Sequence, residues 1–214
     1  MNRAKSYQYQ RGNGAYTLCQ QCNNLTGVWY AAEFIEFVYQ GMSFLQQANQ
    51  EPSLEYPFHF YPLQVYKQIL CMFLSTNSPE FSKTNLQLRK IVLEKDGFYI
   101  PSQFKIYLFY CVGNRMRQTN YCGKLNVFDR SQNSFFSEIA WPPFGYVMAS
   151  EAPPDDRMLD ITHWGQLRYN QFRSWYLKVP VLPVYSYFPG DYRDEADIEK
   201  AVTANQERME KSKI

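Results

Sequence analysis

The apolar residues of this chain change their spacing near residue 100. Between Val28 and Gln47 they recur every three or four positions, which predicts an amphipathic helix with Thr26 as its N-cap. Pro62 suits the first position of a second helix. One or two short helices are predicted between Pro79 and Glu94, and residues 49–61 are predicted to form a loop or an edge segment.

Strand patterns follow. Aromatic and β-branched segments separated by turn residues are predicted as strands at Phe104–Val112, Lys124–Asp129, Ser134–Trp141, Phe144–Ala149 and Trp175–Leu182. Because helices precede strands without βα alternation, we expect an α+β fold with an antiparallel sheet or partial barrel of about five to six strands. A polar helix is predicted from Glu195 to Ile214.

Length and charge narrow the class of protein. We expect residues 1–48, a thiol-bearing turn with its helix, and the α+β segment 49–214 to form one compact unit, since 214 residues suit a single domain. A net charge of +2 does not by itself indicate nucleic acid. No apolar run is long enough to span a membrane and the N-terminus lacks a signal-peptide core, so a cytoplasmic protein without membrane association is expected.

Aromatic residues make up 18% of the chain. This enrichment allows two interpretations. The rings either build the core, or some of them are exposed platforms on which bases or sugars stack.

Two thiols, Cys19 and Cys22, precede the first predicted helix, and residues 15–18 before them are predicted as a short strand. A strand, a thiol knuckle and a helix are typical of treble-clef and ββα-metal elements. In a reducing compartment this spacing indicates a metal or redox site. A closed structural zinc site needs four ligands, of which the pair supplies two.

Cys111 and Cys122 could complete a four-cysteine site, the first from a strand and the second from a turn before Gly123. Alternatively, each is a small core residue, as is expected of Cys71. A redox pair needs its first thiol at a helix N-terminus, and the predicted helix begins several residues later, which argues against that interpretation.

The stretch Tyr16-Thr-Leu-Cys19-x-x-Cys22-Asn23-Asn24-x-Thr26-Gly27 is similar to the second half of the zinc-stabilised HNH (His-Me finger) endonuclease motif. The resemblance implies that the thiol pair would be the second zinc-ligand pair and that Asn23 would help to hold a catalytic divalent metal. In that family, a preceding hairpin carries the first thiol pair and an acid–His dyad whose His is the general base.

The first half of that motif is missing. The 18 residues before Cys19 contain no Cys, His or carboxylate. We therefore expect either a gene start placed too late or a degenerate relative, with an incomplete structural zinc site. Other phrases, including Phe188-Pro-Gly-Asp-Tyr-Arg193, resemble bacterial proteins whose full-length members would carry the missing half.

Other polar residues are weaker candidates. His163 follows Asp160 closely enough for a carboxylate-oriented base, whereas His59 lies in an aromatic setting that favours a packed histidine. Glu138, on a predicted strand, is expected to be buried and paired with Arg115 or Arg117.

Three functions remain open from the sequence. The first is an HNH-related protein that is catalytically incomplete as given and would be a metal-dependent nuclease if active. The second is a non-enzymatic module that binds nucleic acid or a partner protein through an aromatic sheet. The third is an unrelated hydrolase that uses His163 and Asp160.

Overall fold

The computed structural model describes residues 19–48, 51–97, 103–124, 133–150 and 152–211. Its elements follow in the order α1 (Gln20–Thr26), a π-helical turn (Gly27–Ala31), α2 (Ala32–Gln46), β1 (Ser53–Phe60), α3 (Pro62–Thr76), α4 (Pro79–Thr84), α5 (Leu86–Leu93), β2 (Lys105–Val112), β3 (Arg117–Lys124), β4 (Ser134–Trp141), β5 (Phe144–Ala149), β6 (Leu159–Asp160), a 3-10 turn (Thr162–Gln166), β7 (Arg173–Pro183) and α6 (Glu195–Lys211). Most helices precede most strands, and the α+β prediction is confirmed.

The strands form one open, mixed sheet in the order β1-β7-β2-β5-β4-β3, with β6 added to β2. Strands β2 and β7 run parallel, and the other described pairs are antiparallel. Strand β1 shows that the segment 49–61 contains an edge strand. Strand β3 was not predicted. The strand predicted at Lys124–Asp129 overlaps β3 only at Lys124, and its residues 125–129 lie outside the described residues.

Both faces of the sheet are covered. On one face, Leu108 of β2 and Tyr146 of β5 belong to the larger core, which they share with the helices. On the other face, Phe109 of β2 and Phe136 of β4 cluster with Tyr192, from the segment that follows β7. Because β2 is buried on both faces, its sequence is a nearly continuous apolar run.

The first helix begins earlier than predicted. Cys19 is the N-cap of α1, and helical backbone continues from Gln20 to Gln46. Thr26 is not an N-cap, because it is buried within this run and its Oγ1 donates to the backbone carbonyl of Asn23 over 3.2 Å. The thiol pair therefore lies in the first helical turn rather than in a separate knuckle. The predicted strand at residues 15–18 lies outside the described residues.

Helix α2 places Phe37 at the centre of the larger core. Its ring centroid lies 4.9 Å from that of Phe58 and 5.1 Å from that of Phe144. Gly41 packs against the same Phe144 ring so closely that an added Cβ would lie 2.1 Å from a ring carbon. Glycine is thus required here by close packing, and it does not end the helix.

Helix α3 begins at Pro62, as predicted, and is buried on nearly all sides. Its one lysine, Lys67, is fully buried and donates from Nζ to the backbone carbonyls of Glu94 and Lys95. Burial lowers the pKa of Lys67 to about 8, because a desolvated ammonium is less favourable than a neutral amine.

Candidate functional site

The thiol pair lies at the accessible start of α1. The Sγ atoms of Cys19 and Cys22 are 2.8 Å apart, and the backbone N–H of Cys22 donates to Cys19 Sγ over 3.3 Å. The hydrogen bond between the two side chains lowers the pKa of Cys19 and raises the pKa of Cys22. The two thiols are therefore inequivalent, because the shared proton favours the Cys19 thiolate.

The other cysteines are not brought to this pair. Cys111 is buried in the smaller core, where desolvation raises its pKa to about 12. Cys122 lies within β3 rather than in the predicted turn, and partial burial raises its pKa. Across the ranges that the structure describes, no three Cys, His, Asp or Glu side chains are grouped so that they could hold a metal ion. Two thiols alone do not fit a closed zinc centre.

Asn23 lies one residue beyond Cys22, in the exposed first helical turn. It lines a cleft of about 270 Å³ between α1, α3 and β4. The same cleft is lined by Gln68 of α3, Gln118 of β3 and Trp141 at the end of β4. The candidate HNH asparagine and a half-exposed tryptophan therefore share one depression.

Trp141 connects that cleft to two others. A larger one, of about 570 Å³, is lined by Met116, Gln118 and Tyr187, and a smaller one, of about 130 Å³, lies against α2. We call these three adjoining clefts the Trp141 groove. Trp141 is 50% exposed, Met116 67% and Tyr187 70%.

One cation, Arg115, lies at the rim of the groove. The guanidinium of Arg115 lies 4.8 Å from the centroid of the Tyr187 ring, which makes a cation–π contact at the rim. Among the described residues that line the three clefts, none is Asp or Glu. The groove thus offers aromatic faces, amides and a cation.

The histidines lie elsewhere. His59 is on edge strand β1, and its Nδ1 lies 2.8 Å from Ser174 Oγ. His163 is in the 3-10 turn, with its ring centroid 6.0 Å from that of Trp175. The carboxylate of Asp160 accepts from the backbone N–H of Thr162 over 2.9 Å, and no hydrogen bond joins it to His163, although the structure describes both residues. The hydrolase hypothesis therefore has no oriented base to support it.

The predicted pairing of Glu138 is confirmed, with Arg117 as its partner. Arg117 Nη2 lies 2.8 Å from Glu138 Oε1, which also accepts from the Tyr192 hydroxyl over 2.9 Å. Arg117 Nη1 donates to three backbone carbonyls of the segment 186–191. This cluster, which we call the Glu138 cluster, anchors that segment over the smaller core.

In comparisons with known proteins, no family model, curated protein or solved structure matches the chain.

None of the helices formed by the described residues combines the length and the hydropathy needed to cross a bilayer.

Sequence reasoning missed the groove. Met116, Gln118 and Tyr187 come from separate loops and strands, and only the folded sheet brings them beside Trp141. One signal was available: Trp141 ends a strand next to Pro142 and Pro143. The aromatic content allows exposed stacking platforms, and the end of a strand is a place where such a platform would be found.

Proposed function

We propose that the protein is a non-enzymatic binding module for single-stranded nucleic acid and that the Trp141 groove is its binding surface. The observation that carries this proposal is the half-exposed Trp141 at the junction of clefts whose described lining contains no carboxylate. Bases stack on exposed aromatic rings whatever their identity, and each stacked base contributes about 1–3 kcal/mol.

The rim supports the same ligand. Arg115, held over Tyr187, offers a cation to a backbone phosphate, while the Gln118 amide can hydrogen-bond a base edge. With one or two cations near the groove, we expect a shallow salt dependence, with a slope of about −0.7 in log affinity per neutralised phosphate. We propose a cytoplasmic location together with this function.

Fluorescence anisotropy of a labelled oligothymidylate tests it. Trp141→Ala should weaken binding by about tenfold or more, in keeping with the loss of one stacked base. Tyr176→Ala is the matched control, because Tyr176 is 72% exposed but lies on β7, separated from β4 by β2 and β5. Equal losses in the two variants, or the absence of binding by the unmodified chain, would refute the proposal.

A second candidate is an HNH-related protein that is incomplete as this chain. The position of Asn23 favours it, since this residue follows the thiol pair on the helix and lines the groove proposed for nucleic acid. In the HNH family such a residue supports a divalent metal during phosphodiester hydrolysis. The described residues bring no histidine into the same cleft.

Metal analysis and plasmid nicking test this second candidate. We expect substoichiometric zinc and no nicking with Mg²⁺ or Mn²⁺, because half of the ligands and the general base are missing. Stoichiometric zinc would overturn the expectation of an incomplete site. Nicking that disappears in Asn23→Ala would show that the chain is an active nuclease.

A further inference from the structure

The thiol pair has a geometry that nucleic-acid binding does not use and that supplies only half of a zinc site. Its sulfur atoms are 2.8 Å apart, so a shift of less than about 1 Å would bring them to the disulfide bond length of about 2.05 Å. Both residues are accessible at the surface, Cys19 more so than Cys22. No helical residue needs to be unwound for the two sulfurs to meet, because Cys19 is the N-cap and Cys22 is in the first turn.

We propose that Cys19 and Cys22 form a thiol–disulfide exchange site that reduces low-molecular-weight disulfides, with Cys19 as the attacking thiol and Cys22 as the resolving thiol. Cys19 takes the first role because it is the more exposed residue and its sulfur already accepts the Cys22 N–H. The sequence argues against a redox pair because the helix is predicted to begin later, whereas in the structure Cys19 is the N-cap of α1.

The exchange balances as a two-electron transfer. The Cys19 sulfur, as thiolate, attacks one sulfur of the external disulfide, whose S–S bond breaks and releases one thiol after it takes up a proton. Cys22 then loses its proton to solvent and attacks Cys19 Sγ, which releases the second thiol. The protein dithiol is oxidised to the Cys19–Cys22 disulfide, and the external disulfide is reduced to two thiols.

The remaining cysteines provide an internal reference. Cys71 and Cys111 are 5% and 1% exposed, and neither should react on the timescale of a surface thiol. Cys122 is partly exposed but has no described thiol beside it, so its product with an external disulfide should be a stable mixed disulfide. A disulfide within one chain therefore indicates the proposed pair.

Glutathione disulfide is the probe, and intact mass spectrometry of the full chain in EDTA is the measurement. We expect the tryptic peptide 12–67, in which Cys19 and Cys22 are the two cysteines, to lose two hydrogens, and the intact chain to carry in addition only the glutathione bound to Cys122. Cys22→Ser should instead retain one glutathione on Cys19. Cys19→Ser should react at least about tenfold more slowly than Cys22→Ser at this peptide.

Cys122→Ser is the control and should leave the product in peptide 12–67 unchanged. Two results would overturn the proposal: stable glutathione adducts on both Cys19 and Cys22 of the unmodified chain, or equal rates for Cys19→Ser and Cys22→Ser. Because both substitutions are at the surface, circular dichroism will verify that each variant keeps its fold.

Discussion

The Glu138 cluster and the thiol pair are two polar sites of the same fold, the first buried and the second accessible to solvent. Glu138 and Arg117 are almost completely buried, and the Glu138 carboxylate receives donors from Arg117, Tyr192 and the Gly190 backbone. Cys19 and Cys22 are accessible, and their described hydrogen bonds are almost entirely with each other. Burial of a charge demands a complete set of partners, whereas exposed thiols keep their reactivity because few groups bind them.

This difference separates structural from functional candidates. A perturbed or unusual polar residue suggests function only when a substrate can reach it. The Glu138 cluster is sealed beneath the segment 186–191, which Arg117 holds through three carbonyls. The Glu138 cluster is therefore a structural site, whereas the thiol pair and the Trp141 groove are accessible to ligands and remain the sites for which we propose function.

The largest expected effect follows from breaking the Glu138 cluster. Glu138→Gln should lower the free energy of unfolding by about 3–5 kcal/mol, because it leaves the Arg117 charge buried without its counter-ion. Urea denaturation measures the change. Lys200→Gln is the matched control, since it breaks an exposed pair with Asp197 and should cost less than about 1 kcal/mol. Similar losses in both variants would contradict the contrast between sealed and exposed polar groups.

The sequence predicted the interior of the sheet better than its edges. Ser134–Trp141 and Phe144–Ala149 were predicted with the observed limits, because their apolar residues are buried on both faces. Edge strand β3 was missed, since Arg117–Lys124 is mostly polar and its neighbour on one side is solvent. Since β3 buries little apolar surface, neither an alternating nor a continuous apolar pattern marks it.

The candidate sites were predicted unevenly for a similar reason. The pairing of Glu138 with an arginine could be predicted because an inward-facing carboxylate must find a cation. The start of α1 could not be predicted, because cysteine is a weak and uncommon N-cap. Its role as a cap depends on the Cys22 N–H reaching its sulfur. The Trp141 groove depends on side chains from distant segments and has no local pattern at all.

An intermediate effect is expected at Lys67, a buried cation whose ammonium donates to backbone carbonyls rather than to a carboxylate. Its pKa in the folded protein, about 8, lies below the ordinary value of 10.5 in the unfolded chain. Between these values the unfolded chain holds a proton that the folded protein lacks, so stability rises with pH. From pH 8 to pH 10, Lys67 should contribute a gain of about 1–2 kcal/mol.

Lys67→Met removes this titration, and the comparison of its urea midpoints with those of the unmodified chain across this pH range measures it. Titrating groups that do not interact with Lys67 cancel in the difference. Cys71 cancels only in part, because the Lys67 charge lowers its pKa against the larger effect of burial, so Lys67→Met in a Cys71→Ala background isolates the lysine. A difference that stays constant with pH would mean that Lys67 keeps its proton when buried.

The smallest effect is expected at the thiol pair, and its size tests whether the pair has a structural role. Cys22→Ser should change the free energy of unfolding by less than about 0.5 kcal/mol, since Cys22 is only partly buried and serine can keep the hydrogen bond with Cys19. Cys111→Ser makes the same chemical change in the smaller core and should cost about 1–3 kcal/mol, because it buries a hydroxyl among apolar side chains. Both are measured by urea denaturation under reducing conditions. If Cys22→Ser were as costly as Cys111→Ser, the thiols would be structural ligands or packing residues, and their accessibility would no longer argue for exchange chemistry.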